Sequence, residues 1–527
     1  MYLSESFKLE IKDSNIIPII ASGTGNGKSH YIYNKLAIDL GIEDRNILMI
    51  CHLNAMTAQQ LKEEKEYWYG ADTIAQRFNL NRNTQYEPDY VNVIDYHSFN
   101  SYIKKCYENQ QKVKLEEHGI KCIVVDEAHE LLYSSNYRDL QYIWHYLMKT
   151  GIQVIFLSAT PKILLQENII TYDKKFEIAV TNKSKIKIED IGLYKMTHFK
   201  NNKNRYREIK RLIKKYRLNK SFVLINNKKL INNIVNELKE TSIGMWTTFD
   251  GDYTDKMNEM RSCIIDKGMY MEDIKDMITT NAYATGINII DESVDTAIIF
   301  FYSIESLVQS MSRLRKGIKR LIVVKDDISW MEDSLISVKN QFIEFTSLIE
   351  KYKAEGNYEM YFSTIYKQIS SQLKNKDSVN FIIIDEELKP IINKNLMCSI
   401  DYMINQIRLV YNIESNQELK DMLEEYFESI SYKLSDEESN EITDYIENKI
   451  MKRNGLIFSK ENEYGYITRD ELKDFVASRL GEESLTTRKV ARVLKGLGYE
   501  VNFSKRTSKR IAGNKYNCYK VECIKNQ

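Results

Sequence analysis

The stretch Ser22-Gly23-Thr24-Gly25-Asn26-Gly27-Lys28-Ser29 constrains this chain more than any other. It follows the apolar run Ile16 to Ala21 and precedes a helix-like stretch from His30 to Asp39. Strand, glycine-rich loop and helix in that order make a phosphate-binding loop. The backbone N–H groups of such a loop and the helix N-terminus point at an anion. Gly25 and Gly27 let the backbone approach that anion with no Cβ in the way. Lys28 brings a point charge to the β/γ-phosphates, and the Ser29 hydroxyl is a hard oxygen ligand for Mg²⁺. Ser22 stands where the pattern G-x-x-x-x-G-K-[ST] has its first glycine.

Further apolar runs follow at Asn46–Ile50, Val91–Asp95, Cys122–Val125 and Val154–Leu157, with helix-like segments between them. Uninterrupted apolar strands alternating with helices predict an α/β fold with a parallel sheet covered on both faces. Chemistry in such folds gathers at the carboxyl ends of the strands. The third of these runs ends in Asp126-Glu127. Asp126 is placed to hold Mg²⁺ through water, and Glu127 to polarise the water that attacks a γ-phosphate.

The chain has 527 residues, enough for about three or four domains. No run is long and apolar enough to span a membrane, and Met1–Glu10 is not a signal peptide. Seven cysteines are scattered without zinc-finger spacing, and Cys518 and Cys523 read as strand residues. The scattered cysteines point to a reducing compartment and a cytoplasmic protein.

The tetrad Asp126-Glu127-Ala128-His129, with Ser158-Ala159-Thr160 at the end of the next strand, resembles the superfamily 2 helicases of the DEAH type. The resemblance runs from about residue 15 to 326. It implies two tandem RecA-like parallel-sheet domains with ATP and Mg²⁺ between them. His129, Ser158 and Thr160 would couple hydrolysis to movement of the second lobe. The stretch from His52 to Gln60, and Tyr96-His97-Ser98, would lie where the family contacts the nucleic-acid backbone. No glutamine precedes Gln59, so the upstream adenine-reading glutamine of DEAD-box relatives is lacking.

In the second half, Asp276 to Ile289 resembles helicase motif V. Its Thr280 would contact the phosphate backbone, while Gly286 and Asn288 approach the nucleotide. Gln309 to Gly317 resembles motif VI, with Ser312, Arg315 and Lys316 in place of Gly, Gly and Arg. Gln309 would face the nucleotide, and Arg313 would be an arginine finger, worth ~10³–10⁵ in rate. The second finger is Arg315 or Lys316, and the guanidinium fork favours Arg315. The form Gln-x-x-x-Arg-x-Arg resembles phage and viral replication helicases and origin-binding ATPases.

Beyond residue 328 the pattern turns helical. Phe342, Phe345, Ile349 and Tyr352 form one apolar stripe, and Leu419, Met422, Leu423, Tyr426, Phe427 and Ile430 another. A strand is expected at Asn380–Ile384. Near the end, a helix opening at Ile467 with Thr468 as its cap, a turn, a helix from Thr486 to Gly498 and two strands resemble a winged helix. Residues 485–515 hold nine Lys/Arg and one acid, net +8 in a chain of +1. That is an electrostatic footprint for phosphates. Thr487, Arg488 and Arg492 would face a major groove, with Lys505, Arg506, Lys509 and Arg510 on the backbone or in the minor groove.

The expected organisation is 1–182 and 183–328 as the RecA-like pair, 329–454 as a mainly helical accessory domain without chemistry of its own, and 455–527 as a winged helix. The expected activity is that of an ATP-dependent DNA helicase or translocase in phage or viral replication. Its partners would be single-stranded or forked DNA and replication proteins, with no membrane. The rivals are an RNA helicase, an origin-binding or remodelling ATPase, and a binding scaffold with a dead ATP site.

Overall fold

The apolar runs of the first two hundred residues lie side by side as parallel strands. The computed structural model describes residues 3, 7–11, 13–23, 26–52, 91–133, 140–196, 202–238, 241–246, 254–280, 283, 287–300, 303–326, 329–374, 380–385, 387–430, 443, 464–468, 472–476, 490–491, 493–494, 499–501, 507–511 and 514–523. Thr24, Gly25, Gly286, Thr487, Arg488, Arg492, Lys505 and Arg506 lie outside them, as does most of the stretch from His52 to Gln60.

The first lobe contains β1 (Ile16–Ser22), α1 (Lys28–Asn34), β2 (Ile47–Cys51), β3 (Asn92–Asp95), α2 (Tyr96–Glu108), β4 (Cys122–Val125), α3 (Gln141–Lys149), β5 (Gln153–Ser158) and β6 (Lys175–Asn182). Its strands form one parallel sheet in the order β3-β2-β4-β5-β1-β6. The central strands are buried along their whole length, so they read as unbroken apolar runs rather than alternating ones. One face packs Phe99, Trp144 and Phe156 into the core, each worth roughly 1.5–3 kcal/mol of burial. The α2 helix starts where the Asp95 carboxylate accepts a hydrogen bond from the Ser98 N–H at 2.9 Å.

Next come β7 (Ser184–Ile188), β8 (Ile191–Lys195), α4 (Asn202–Tyr216), β9 (Lys220–Leu224), α5 (Lys228–Leu238), β10 (Ser242–Met245), α6 (Asp255–Lys267), β11 (Asp276–Thr279), β12 (Val294–Phe300), α7 (Ile304–Met311) and β13 (Arg320–Lys325). The second parallel sheet runs β10-β11-β9-β12-β13-β8. Two RecA-like α/β lobes therefore stand in tandem.

The connector between them is stitched at both ends. The Gly23 N–H donates to the Asn182 carbonyl at 2.7 Å, and Asn26 Nδ2 donates to the Lys183 carbonyl at 2.7 Å. Further on, the Ile318 N–H donates to the Lys187 carbonyl, and the Glu189 N–H to the Ile318 carbonyl, both at 2.9 Å.

The helical region holds α8 (Ser329–Ala354), α9 (Tyr358–Lys374), β14 (Ile382–Ile384), β15 (Pro390–Ile392) and α10 (Asn395–Asn412). Phe342, Phe345 and Ile349 are buried as their stripe predicts, and Phe381 meets Phe342 edge-on at 5.2 Å. The second stripe is not one helix. A helix over Asn416–Leu423 gives way to β16 (Phe427–Ile430), which pairs in parallel with β7. A tertiary partner overrides the four-residue spacing there.

The chain divides into two units, residues 1–412 with 423–430, and residues 413–422 with 431–527. In the second unit β17 (Tyr464–Thr468), β18 (Tyr499–Val501) and β19 (Thr507–Ile511) each pair antiparallel with β20 (Asn514–Cys523). Ile467, expected to open a helix, lies on β17, and helix is described from Leu472. Leu472 and Val476, and Val490 and Leu494, are buried at helical spacing. No helix among the described residues is long and apolar enough to cross a membrane.

Candidate active site

The carboxyl ends of β1, β4 and β5 bring the first-lobe residues together. Gly27 caps α1 with φ of 78°, a left-handed conformation that glycine takes without strain. Lys28 Nζ turns back to the Ser22 carbonyl. Desolvation lowers its ammonium from the usual lysine range against the pull of Glu127 and Asp126, and Arg315 and Arg313 add repulsion.

Gly23 is needed for a different reason. A Cβ there would lie 2.3 Å from the Ser184 backbone nitrogen, because the connector passes directly over the loop. Gly23→Ala must push loop and connector apart, at a cost of about 1–3 kcal/mol. A lower melting temperature and weaker nucleotide binding are expected. Wild-type values for both would mean that the connector yields freely.

The acidic pair sits on a turn held from both sides. The Asp126 N–H donates to the Ile50 carbonyl on β2, and the Ala128 N–H to the Leu157 carbonyl on β5, both at 2.9 Å. Tyr96, at the start of α2, donates its hydroxyl to the Asp126 carbonyl at 2.8 Å and reaches the Glu127 carbonyl at 3.2 Å. These bonds keep Glu127 at φ of 54°, left-handed for a residue with a side chain. Burial and Glu127 push the Asp126 carboxyl up to about 7, against Lys28 and Arg313. Burial also pushes Glu127 up, but His129, Lys28 and Arg313 outweigh it and hold its carboxyl below the usual range.

The second lobe contributes through α7 and the segment after it. Arg313 Nη2 lies 3.4 Å from Glu127 Oε1, with both side chains buried. Gln309 Nε2 meets His129 Nε2 and lies 3.4 Å from Glu130 Oε1. On its other side His129 Nδ1 contacts Ser158 Oγ at 2.9 Å, and Ser158 Oγ accepts from the Thr160 N–H at 3.1 Å. His129, Ser158, Thr160 and Gln309 thus form one buried chain across the lobes, and Gln309 is engaged with the histidine. Arg315 Nε donates to Asn288 Oδ1 at 2.7 Å, whereas Lys316 pairs with Glu292 at an exposed position. Thr280 lies at the end of β11, its N–H donating to the Met245 carbonyl at 3.2 Å.

His52, expected at a nucleic-acid surface, is only 6% exposed. Its Nε2 lies 3.6 Å from Glu130 Oε2 and its ring meets Tyr96 edge-on, so it belongs with the acidic residues. Tyr96, expected beside the nucleic-acid backbone, is likewise buried, with its hydroxyl on the acidic turn, and Glu130 escapes sequence reading. The one available signal for Glu130 was an acid directly after His129, ahead of the apolar Leu131 and Leu132. In the second unit, Lys509 and Arg510 lie on β19, with Arg510 opposite Lys515 on β20.

The donor set suits Mg²⁺. Asp126 and Ser29 offer hard oxygens, and the buried Glu127 Oε2 accepts no hydrogen bond from the described residues. Fold and site together define a P-loop core of two α/β lobes, with a buried arginine of the second lobe facing the acidic pair of the first.

Residues 2–163 match the family model described as ResIII, the res subunit of type III restriction enzymes. No curated protein sequence matches the chain. Among solved structures, Mycobacterium smegmatis helicase Lhr, bound to ssDNA and AMP-PNP, is similar at 14% identity and TM-score 0.39 over 61% of this chain and 45% of Lhr. The DUF1998 helicase MrfA, bound to DNA, is similar at 16% identity and TM-score 0.40 over 59% of this chain and 44% of MrfA. Mss116p, bound to ssRNA and AMP-PNP, is similar at 13% identity and TM-score 0.39 over 81% of this chain and 90% of its own. The chain spans less than half of the length of Lhr or MrfA.

Proposed function

We propose that this chain is a Mg²⁺-dependent ATPase that moves along and unwinds DNA. The observation that carries the reading is Arg313 of one lobe at 3.4 Å from Glu127 of the other. An ATP site completed only when two lobes meet converts hydrolysis into relative movement of those lobes.

The residues divide the work. Asn26, Gly27 and Lys28, with the rest of the loop, cradle the phosphates, and Ser29 and Asp126 hold Mg²⁺. The metal neutralises charge on the β/γ-phosphates when bound. Glu127 orients the attacking water. Arg313, with Arg315 beside Asn288, stabilises charge on the transferring phosphoryl group. Lys316 faces away to Glu292, which favours Arg315 as the second finger. The chain Ser158–His129–Gln309 reports the state of the acidic pair to α7.

DNA as the polymer rests on the basic block of residues 485–515 and on Thr280 at the end of β11. The strands β19 and β20, which pair in register at Arg510 and Lys515, belong to this basic block. A winged helix in residues 455–527 would then load the motor. The Gln-x-x-x-Arg-x-Arg form of Gln309, Arg313 and Arg315 supports a role in phage or viral replication.

The test is steady-state ATP hydrolysis with no polymer, single-stranded DNA, duplex DNA and RNA. Stimulation by single-stranded DNA of at least tenfold is expected. Stimulation by RNA alone would move the substrate to RNA. DNA binding with no hydrolysis under any condition would make the chain a scaffold.

A further inference from the structure

The accessory region was expected to lack chemistry of its own, yet one of its helices enters the hydrolysis machinery. Helix α10 is tied to the first lobe at two points. The Ser399 hydroxyl donates to the Leu132 carbonyl at 2.7 Å, and Asn395 Oδ1 accepts from the Ile170 N–H at 2.8 Å. Tyr402 packs in the first-lobe core. From there its hydroxyl donates to Glu305 Oε1 on α7, in the second lobe.

Glu305 is an unusual residue for that place. It is 1% exposed, and its other oxygen, Oε2, has no hydrogen-bond partner among the described residues. Tyr402 is thus its one side-chain donor among the described residues. Burial raises the Glu305 carboxyl above its usual range. A buried carboxyl with a single donor is costly to retain for packing alone. Its position suggests what retains it. Glu305 precedes Gln309 by four residues and Arg313 by eight, so it stands on the turn of α7 before the glutamine that meets His129. The same end of α7 is held by the first lobe itself, where the Tyr133 hydroxyl meets Ser303 Oγ at 2.8 Å. Ser303 caps the helix by accepting from the Ser306 N–H.

We propose that Tyr402 is a positioning residue for ATP hydrolysis. By holding Glu305 it sets α7, and through α7 it sets Gln309 against His129 and Arg313 against Glu127. The inference rests on the ATPase reading above. It makes the accessory region a latch between the lobes, broken each time they part and remade each time they close.

Tyr402→Phe removes one hydroxyl and keeps the ring that fills the core. It should lower kcat about tenfold while KM for ATP and the melting temperature stay within error, because the P-loop is untouched. Glu305→Gln keeps an oxygen that accepts from Tyr402 and should retain most of the wild-type kcat. Affinity for an ADP–aluminium fluoride transition-state mimic should fall about tenfold in Tyr402→Phe with ADP affinity unchanged, which reads α7 without turnover. An unaltered kcat and mimic affinity in Tyr402→Phe would overturn the proposal. So would equal losses in kcat, ADP affinity and melting temperature, which mark a packing role. A wild-type protein that hydrolyses no ATP would sink the ATPase reading and this inference with it, whereas an active wild type with unaltered Tyr402→Phe overturns this inference alone.

Discussion

Glu127→Gln lowers ATP turnover at least about 100-fold and leaves nucleotide affinity within about threefold of wild type. A positioned general base contributes roughly 10²–10⁴ in rate, and Gln keeps the shape of Glu while losing the charge that orients water. The backbone turn should hold. The left-handed backbone at residue 127 is imposed by bonds from residues 126 and 128 to the neighbouring strands, and these do not involve the side chain. Removing one of two buried negative charges also relieves Asp126, whose carboxyl is pushed up by burial and by Glu127 itself. Burial pushes the Glu127 carboxyl up, but His129, Lys28 and Arg313 hold it below its usual range, so losing its charge leaves these groups uncompensated and the melting temperature of the nucleotide-free protein is expected to fall. Single-turnover hydrolysis and binding of a fluorescent ATP analogue check both halves. Hydrolysis at the wild-type rate would remove Glu127 from the reaction.

Arg313→Ala is expected to cost about 10³ in kcat with a small change in KM, within the range for an arginine finger. Its cost in stability is larger than that of the first variant, which keeps a neutral side chain of the same shape. Arg313 and Glu127 are paired and almost fully buried, so truncating the arginine leaves a buried carboxylate without its partner. Breaking such a pair costs about 3–5 kcal/mol where both groups are fully enclosed. The double variant Glu127→Gln/Arg313→Ala should recover part of that stability and lose little further activity, because residues that act as one unit are non-additive. Arg313→Lys restores charge without the fork and should regain stability more than rate. Normal hydrolysis by Arg313→Ala would dismantle the two-lobe site, whatever its effect on melting.

What could be read from the residues, and what could not, follows from which forces act locally. The strands that end in Ser22, Val125, Ser158 and Thr279 were legible because parallel strands buried on both faces carry continuous apolar runs. Strand β6 was not, since Lys175–Asn182 is an edge strand with exposed polar positions. Strand β7, Ser-Lys-Ile-Lys-Ile, buries every second residue and exposes its lysines, a pattern short enough to be missed between two lobes. Phe427 and Ile430 continued the helical spacing of Leu419 and Leu423 by coincidence, and only the presence of β7 turns them into a strand. The meeting of Gln309 with His129, and of Tyr402 with Glu305, joins residues far apart in the chain, and no local pattern encodes such pairs. The engagement of His52 with Glu130 was hidden for the same reason.

The doubly stitched connector has one more consequence. Its first stitch lies at Asn182 and Lys183, bonded to the phosphate loop, and its second at Lys187, bonded to Ile318 just beyond the arginine segment. Only residues 184–186 lie between Lys183 and Lys187, and those four backbone steps reach about 14 Å when fully extended. The opening across which phosphate and arginine face each other is thus gauged by a fixed count of backbone units, as the jaws of a caliper are limited by its beam. Side chains along this stretch can change without altering that reach. The number of residues in it cannot, which makes length rather than composition the property of the connector that this chain must keep.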